Sequence, residues 1–131
     1  MSTRGVARII LVVDDEHALA DTLALILERA GYKSTAAYSA LEALMVVEKQ
    51  RPDLIISDVM MPVMNGIDFA VKVSKLDLGI KVLLISGHAG TQDMVEAARS
   101  DGLSLDLLAK PVLPEDLLAR VADILDRNYS V

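Results

Sequence analysis

Cysteine is absent from this chain of 131 residues, and so is tryptophan. No disulfide framework, thiolate metal site or cysteine nucleophile can therefore be built here. Aromatic residues make up only 3% of the chain, so the core has to be packed by Leu, Val, Ile, Ala and Met. Basic residues are outnumbered 13 to 19 by acidic ones, a net charge of −6. That balance argues against direct nucleic-acid binding, which asks for a basic stripe to displace counterions from phosphates. No apolar run approaches the roughly 18 residues of a membrane span. The opening "MSTRGVARIILVVDDE" is too short in its apolar part, and too acidic after it, for a signal peptide. A soluble, cytoplasmic protein without membrane contact is expected.

What is present is hydrophobic, at 53% of residues, and arranged in alternating patterns. The length suits one domain, and no repeat, low-complexity tract or linker interrupts it. "RIILVV" (8–13) and "DLIIS" (53–57) are continuous aliphatic runs, the pattern of strands covered on both faces. "KVLLIS" (81–86) and "LDLLA" (105–109) read the same way, and a shorter strand fits 33–37. Between them apolar residues recur at helical spacing, as at Leu19, Leu23, Ile26 and Leu27, with Gly31 as a stop. Ser39 and Glu42 form a capping box ahead of "ALEALMVVEKQ". A third helix fits about Ile67 to Lys75, Thr91 suits the cap of a fourth, and Pro114 suits the first turn of a fifth. Five strands alternating with five helices predict an α/β fold with a parallel sheet between helical layers. The flavodoxin-like (βα)5 three-layer sandwich, strand order 2-1-3-4-5, is the favoured topology.

In such sheets the chemistry collects at the carboxyl ends of the strands. Asp14 and Asp15 follow the first strand, Asp58 the third, Ser86 the fourth and Lys110 the fifth. Either Asp14 or Asp15 could cap the first helix, but one cap explains only one of them. Three carboxylates in one crevice raise one another's pKa, and a hard divalent cation such as Mg2+ resolves the repulsion. Lys110 can pair one acid at rest and a phosphoryl oxygen later.

"ILVVDDE", "DVMMPVMNG", "LLISGHA" and "LLAKP" together resemble the response-regulator receiver domains of two-component signalling, over about residues 7 to 127. The resemblance implies a single receiver domain across 1–131, with no output domain in this chain. It makes Asp58 the phosphoacceptor, taking its phosphoryl group from a phosphohistidine on a sensor histidine kinase or histidine phosphotransfer protein. It implies Mg2+ (or Mn2+) held by Asp15 and Asp58, with Asp14 acting through water and the Met60 carbonyl completing the protein ligands. Lys110 and Ser86 would contact phosphoryl oxygens, Ser86 by swinging inward. Pro62 and Gly66 would shape the acceptor loop, Gly66 by a positive φ or by admitting the helix start. The Lys110–Pro111 bond would be cis. Output would pass to a downstream protein target, with homodimerisation through the fourth helix, fifth strand and fifth helix as one route. Such a domain is a signalling phosphoacceptor and not an enzyme acting on others.

Two positions depart from the family pattern. Leu107 stands three residues before Lys110, where the family usually has Tyr or Phe, so coupling to the output surface is altered. Met60 and His88 lie two residues beyond Asp58 and Ser86, where side chains tune water access, and a bulky Met60 would slow hydrolysis. His17 is expected on an exposed helix start and His88 on a loop rim. The competing readings are a receiver-like module that works without phosphorylation, a haloacid-dehalogenase-type phosphatase and a flavin or nucleotide binder. The phosphatase would need an Asp where Met60 stands, and "DDEH" after the first strand would repel a bound phosphate.

Overall fold

The computed structural model describes residues 7–87 and 91–127. Its strands are β1 (Ile9–Val13), β2 (Lys33–Ala37), β3 (Leu54–Asp58), β4 (Lys81–Ser86) and β5 (Asp106–Ala109). Its helices are α1 (His17–Arg29), α2 (Ala40–Lys49), α3 (Gly66–Lys75), α4 (Thr91–Ser100) and α5 (Pro114–Asp126). The strands form one parallel sheet in the order β2-β1-β3-β4-β5, the topology expected from the sequence.

The aliphatic runs explain why β1, β3 and β4 are central. Alternate side chains of a strand point to opposite faces, and here both faces are covered. Ile10, Val12, Ile56, Leu83 and Ile85 pack on one side with Leu23 and Leu27 of α1 and Leu117, Val121 and Ile124 of α5. Leu11, Val13, Ile55 and Leu84 pack on the other with Val47 of α2, Phe69 and Val73 of α3 and Val95 of α4. β2 ("KSTAA") and β5 carry partly exposed residues, as edge strands do.

Local signals in the sequence hold in detail. Ser39 Oγ accepts the Glu42 N–H at 3.1 Å, and Glu42 reaches back to the Tyr38 N–H at 2.6 Å. Gly31 follows α1 with φ 105°. Pro114 lies in the first turn of α5.

Several boundaries differ by a residue from the expectation. β3 runs one residue further, so Asp58 lies within the sheet and pairs with Ile85 of β4. Asp53 stands before that strand and ties it to β1: its carboxylate accepts the Ile9 N–H at 2.7 Å, and its own N–H donates to the Ile9 carbonyl at 2.8 Å. Helix α3 starts at Gly66, capped by Asn65, whose Oδ1 accepts the Asp68 N–H at 2.8 Å. Thr91 is the first helical residue of α4.

Candidate functional site

The acids meet where the topology predicts. Asp14, Asp15 and Asp58 each offer a carboxylate oxygen within 4.8 Å of the others. Asp14 comes directly after β1, anchored by its N–H to the Ala37 carbonyl at 3.1 Å. Its Oδ1 accepts the Glu16 N–H at 3.0 Å. Neither aspartate caps α1, whose N-cap residue is Glu16 with no side-chain cap bond. The capping reading is thereby removed, and each residue still offers one carboxylate oxygen to the crevice. Asp15 is exposed while Asp14 and Asp58 are 3% and 7% exposed.

Asp58 is held from two directions. Lys110 Nζ stands 3.1 Å from Oδ2, and the Met60 N–H donates to Oδ1 at 3.3 Å. Lys110 reaches it from the end of β5, where its own N–H donates to the Ser86 carbonyl at 2.9 Å. Burial pushes the Lys110 ammonium down, but the Asp58 hydrogen bond and the charges of Asp58, Asp14 and Glu16 more than offset this and raise its pKa. The group stays charged through neutral pH. The bond from Lys110 to Pro111 is cis, as the resemblance implied.

Burial pushes the Asp14 carboxyl up from its ordinary 3.8 to about 6; Asp58 and Asp15 add to the rise, and the Glu16 N–H and Lys110 oppose it. A carboxyl whose folded pKa lies above its unfolded one binds the proton more tightly when folded. Its stabilisation is complete below about 4 and lost as pH rises through about 6. At neutral pH the ionised group therefore works against the fold. Asp14→Asn, which keeps the oxygen that accepts the Glu16 N–H, is expected to melt above the parent protein at pH 7.5 in chelator. The gap should narrow by pH 5.5, and thermal melts of both proteins at the two pH values would show it. Added Mg2+ should raise the parent's midpoint at pH 7.5 and much less at pH 5.5, where protons compete for the same oxygens.

Of the two expectations for Gly66, the second holds: it admits the start of α3. Gly66 has no positive φ; Val63 does, at 70°. The Met64 N–H donates to the Pro62 carbonyl at 2.7 Å across Val63, a tight three-residue turn. Gly66 instead packs against the backbone of β3. A Cβ there would fall well inside contact distance of the Asp58 carbonyl oxygen and within 3.0 Å of Val59 Cα. The obstacle is backbone, which cannot rotate away. Gly66→Ala is expected to lose about 3 kcal/mol, the upper part of the usual range for overpacking, measurable by denaturant unfolding. It should also displace the Asp58 carbonyl and slow any reaction at that residue.

Two further residues adjoin the site: Gly87, which carries no signal of this in the sequence, and Thr91, which reads there only as a helix cap. Gly87 lets the Lys110 stem lie over the strand end, since a Cβ there would stand 3.2 Å from Lys110 Cδ. Thr91 is buried with its hydroxyl against that of Ser86. Ser86 itself ends β4 beside the acids, 7% exposed. Leu107 pairs with Leu84 and packs on the same face as Phe69 and Val95. Its carbonyl accepts the Arg120 guanidinium at 2.9 Å. His17 begins α1 exposed, its ring stacked on Tyr38 at 3.8 Å. His88 lies outside the described residues.

A partly buried lysine–carboxylate pair beside two more carboxylates offers hard oxygen ligands for a divalent cation and a nucleophilic oxygen with a positive charge next to it. Among the described residues no helix is long and apolar enough to cross a membrane. The chain is similar over 119 residues, at 37% identity, to the DNA-binding response regulator MtrA of Mycolicibacterium paratuberculosis; the match covers 91% of this chain and 52% of that protein. It thus spans about half the length of that regulator. The expectation of no nucleic-acid contact does not extend to such longer proteins, whose name includes DNA binding. Among solved structures, a CheY-like receiver domain protein from Methanospirillum hungatei matches with TM-score 0.83 and 32% identity, over 92% of this chain and 95% of that one. Chemotaxis protein CheY4 of Vibrio cholerae matches with TM-score 0.81 and 30% identity, over 91% and 99%. The sequence profile of the response regulator receiver domain matches residues 10–122. The chain belongs to the response regulator receiver domain family.

Proposed function

We propose that Asp58 accepts a phosphoryl group from the phosphohistidine of a sensor histidine kinase or histidine phosphotransfer protein, in the cytoplasm. The observation that carries this is the Asp58 carboxylate itself, paired with Lys110 at 3.1 Å and next to the carboxylates of Asp14 and Asp15. In the reaction an Asp58 oxygen bonds to phosphorus as the phosphorus–nitrogen bond to the donor imidazole breaks. The imidazole leaves with the electron pair and takes up a proton. The product acyl phosphate is hydrolytically labile, which suits a signal that must reset.

The donor set fits Mg2+ or Mn2+: Asp14, Asp15, Asp58 and the Met60 carbonyl supply hard oxygens, and the Asp14 carboxyl, raised first by burial and then by Asp58 and Asp15, is one that a cation would hold ionised. When bound, the cation neutralises charge on the transferring phosphoryl oxygens. The chain's own residues do the rest. Lys110 offsets a phosphoryl oxygen, and Ser86, next along β4 from the Ile85 that pairs with Asp58, donates a hydrogen bond to another once its side chain turns. Met60 stands, 46% exposed, beside the acceptor and screens it from water. The phosphorylated state then alters contacts with a downstream protein, and α4, β5 and α5 are the surface for that contact or for a homodimer. The domain assists its own phosphorylation and dephosphorylation and acts on no other substrate.

Incubation with acetyl phosphate, read by intact mass, tests the proposal. One added phosphoryl group that needs divalent cation is expected. Incorporation that is indifferent to chelator would count against it.

A further inference from the structure

We propose that Thr91 is a positioning residue of this switch: its hydroxyl, held against that of Ser86, carries the state of Asp58 to the first turn of α4. The inference rests on Asp58 being the phosphoacceptor and deepens that reading by naming a route out of the site.

Ser86 and Thr91 are both buried, at 7% and 2% exposure. Their hydroxyls share a hydrogen bond in which either oxygen can be the donor. The backbone of Ser86 has little freedom. It pairs with Ala109 of β5, and its carbonyl accepts the Lys110 N–H at 2.9 Å. A response to a new anion at Asp58 therefore falls to the Ser86 side chain. A hydroxyl owns one proton and two lone pairs. Once Ser86 gives its proton to a phosphoryl oxygen, the bond to Thr91 survives only with Thr91 as donor. The hydroxyl pair is thus polarised in one direction, and the turn of Ser86 Oγ toward Asp58 draws Thr91 after it.

Helix α4 is built to follow. Its buried residues are only Thr91, Val95 and Ala98, whereas α3 beside it buries Ile67, Phe69, Ala70 and Val73. Little apolar surface fixes α4 in one place, the condition for a low-stability element that moves. Its far end is pinned: Arg99 donates through Nε and Nη2 to the Leu105 carbonyl at 3.1 and 2.8 Å. A groove of about 810 Å3 lies between α3 and α4, lined by Met94, Ala97 and Ala98 on one side and Ala70 and Val73 on the other. A helix pinned at its C-terminal end, held by a hydroxyl at its N-terminal end and bordered by open space pivots when that hydroxyl shifts. Leu107 supplies no ring or hydroxyl on the β5 side, and the Ser86–Thr91 pair is a polar link between the site and α4 among the described residues.

Hydrogen exchange of the α4 amides, with and without acetyl phosphate and Mg2+, tests the inference on the parent protein, Thr91→Ser and Thr91→Val. Thr91→Ala is run beside Thr91→Val, so that a folding failure in either leaves the comparison standing. Intact mass follows phosphorylation in every sample. The parent and the Ser variant should show an α4 exchange change of roughly fivefold or more, the lower end of ordinary coupling between sites. The Val and Ala variants should gain the phosphoryl group to the same extent and lose most of that change. A full α4 response without the hydroxyl would overturn the inference, as would an equal loss in the Ser variant. Absence of phosphorylation in the parent protein would instead strike the assignment of Asp58.

Discussion

Asp58→Asn is expected to take up no phosphoryl group from acetyl phosphate at any Mg2+ concentration, and the parent protein to take up one. The expectation follows from where the charge is offset. Attack on phosphorus needs an ionised oxygen at a spot where the negative charge of the incoming oxygens is already balanced. Lys110 makes its ion pair with Asp58, so the balance stands there and not at the neighbouring acids. Asp14 has one oxygen engaged by the Glu16 N–H, and its carboxyl holds a proton up to about pH 6. Asp15 is exposed to water, where a carboxylate is well solvated, and among the described residues it makes no ion pair. An amide at position 58 keeps the shape and removes the nucleophile. Intact mass decides the matter: a phosphoryl group on the Asn variant would move the acceptor elsewhere.

Lys110→Ala should slow phosphorylation by roughly a hundredfold or more, the usual cost of losing one fixed donor to a developing oxyanion. The reason lies in the chemistry of the step. Phosphoryl transfer involves little covalent assistance from protein, so alignment and neutralised oxygens supply most of the acceleration. The Lys110 ammonium is pinned by three features: its hydrogen bond to Asp58, its backbone bond to Ser86 and the passage of its stem over Gly87. A charge so placed needs no reorganisation when the phosphoryl group arrives. Lys110→Arg should recover only part of the rate, because a planar fork cannot occupy the place of a compact ammonium on that stem. The measurement is the initial rate of incorporation at saturating Mg2+. A rate equal to the parent's would assign Lys110 to stability alone. The fold itself should suffer little in either variant, since the pair is partly exposed and such pairs contribute modestly.

Both expectations could be framed from the primary structure because it carries unusually plain signals. Continuous aliphatic runs followed directly by Asp or Ser mark central strands and their carboxyl ends together. The alternation of those runs with helical spacing then dictates a parallel sheet, and a parallel sheet brings such ends to one crevice. Asp14, Asp15, Asp58, Ser86 and Lys110 were legible for that reason. Gly66 was legible as necessary, and of the two reasons offered the helix start holds while the positive φ does not. A glycine in a loop suggests a positive φ, and here Val63 bears it. Gly66 is required because the start of α3 passes against the carbonyl of Asp58, a contact between residues eight apart that no local pattern displays.

By itself, then, the order of residues determined the layers, the strand order and the membership of the acidic crevice, because these follow from periodicity and from the handedness of connections. Only the tertiary structure decided which carboxylate Lys110 pairs with, that burial raises Asp14, and that Thr91 meets Ser86 instead of capping its helix. Those are matters of distance and desolvation between side chains brought together by packing, and one-dimensional spacing carries neither quantity.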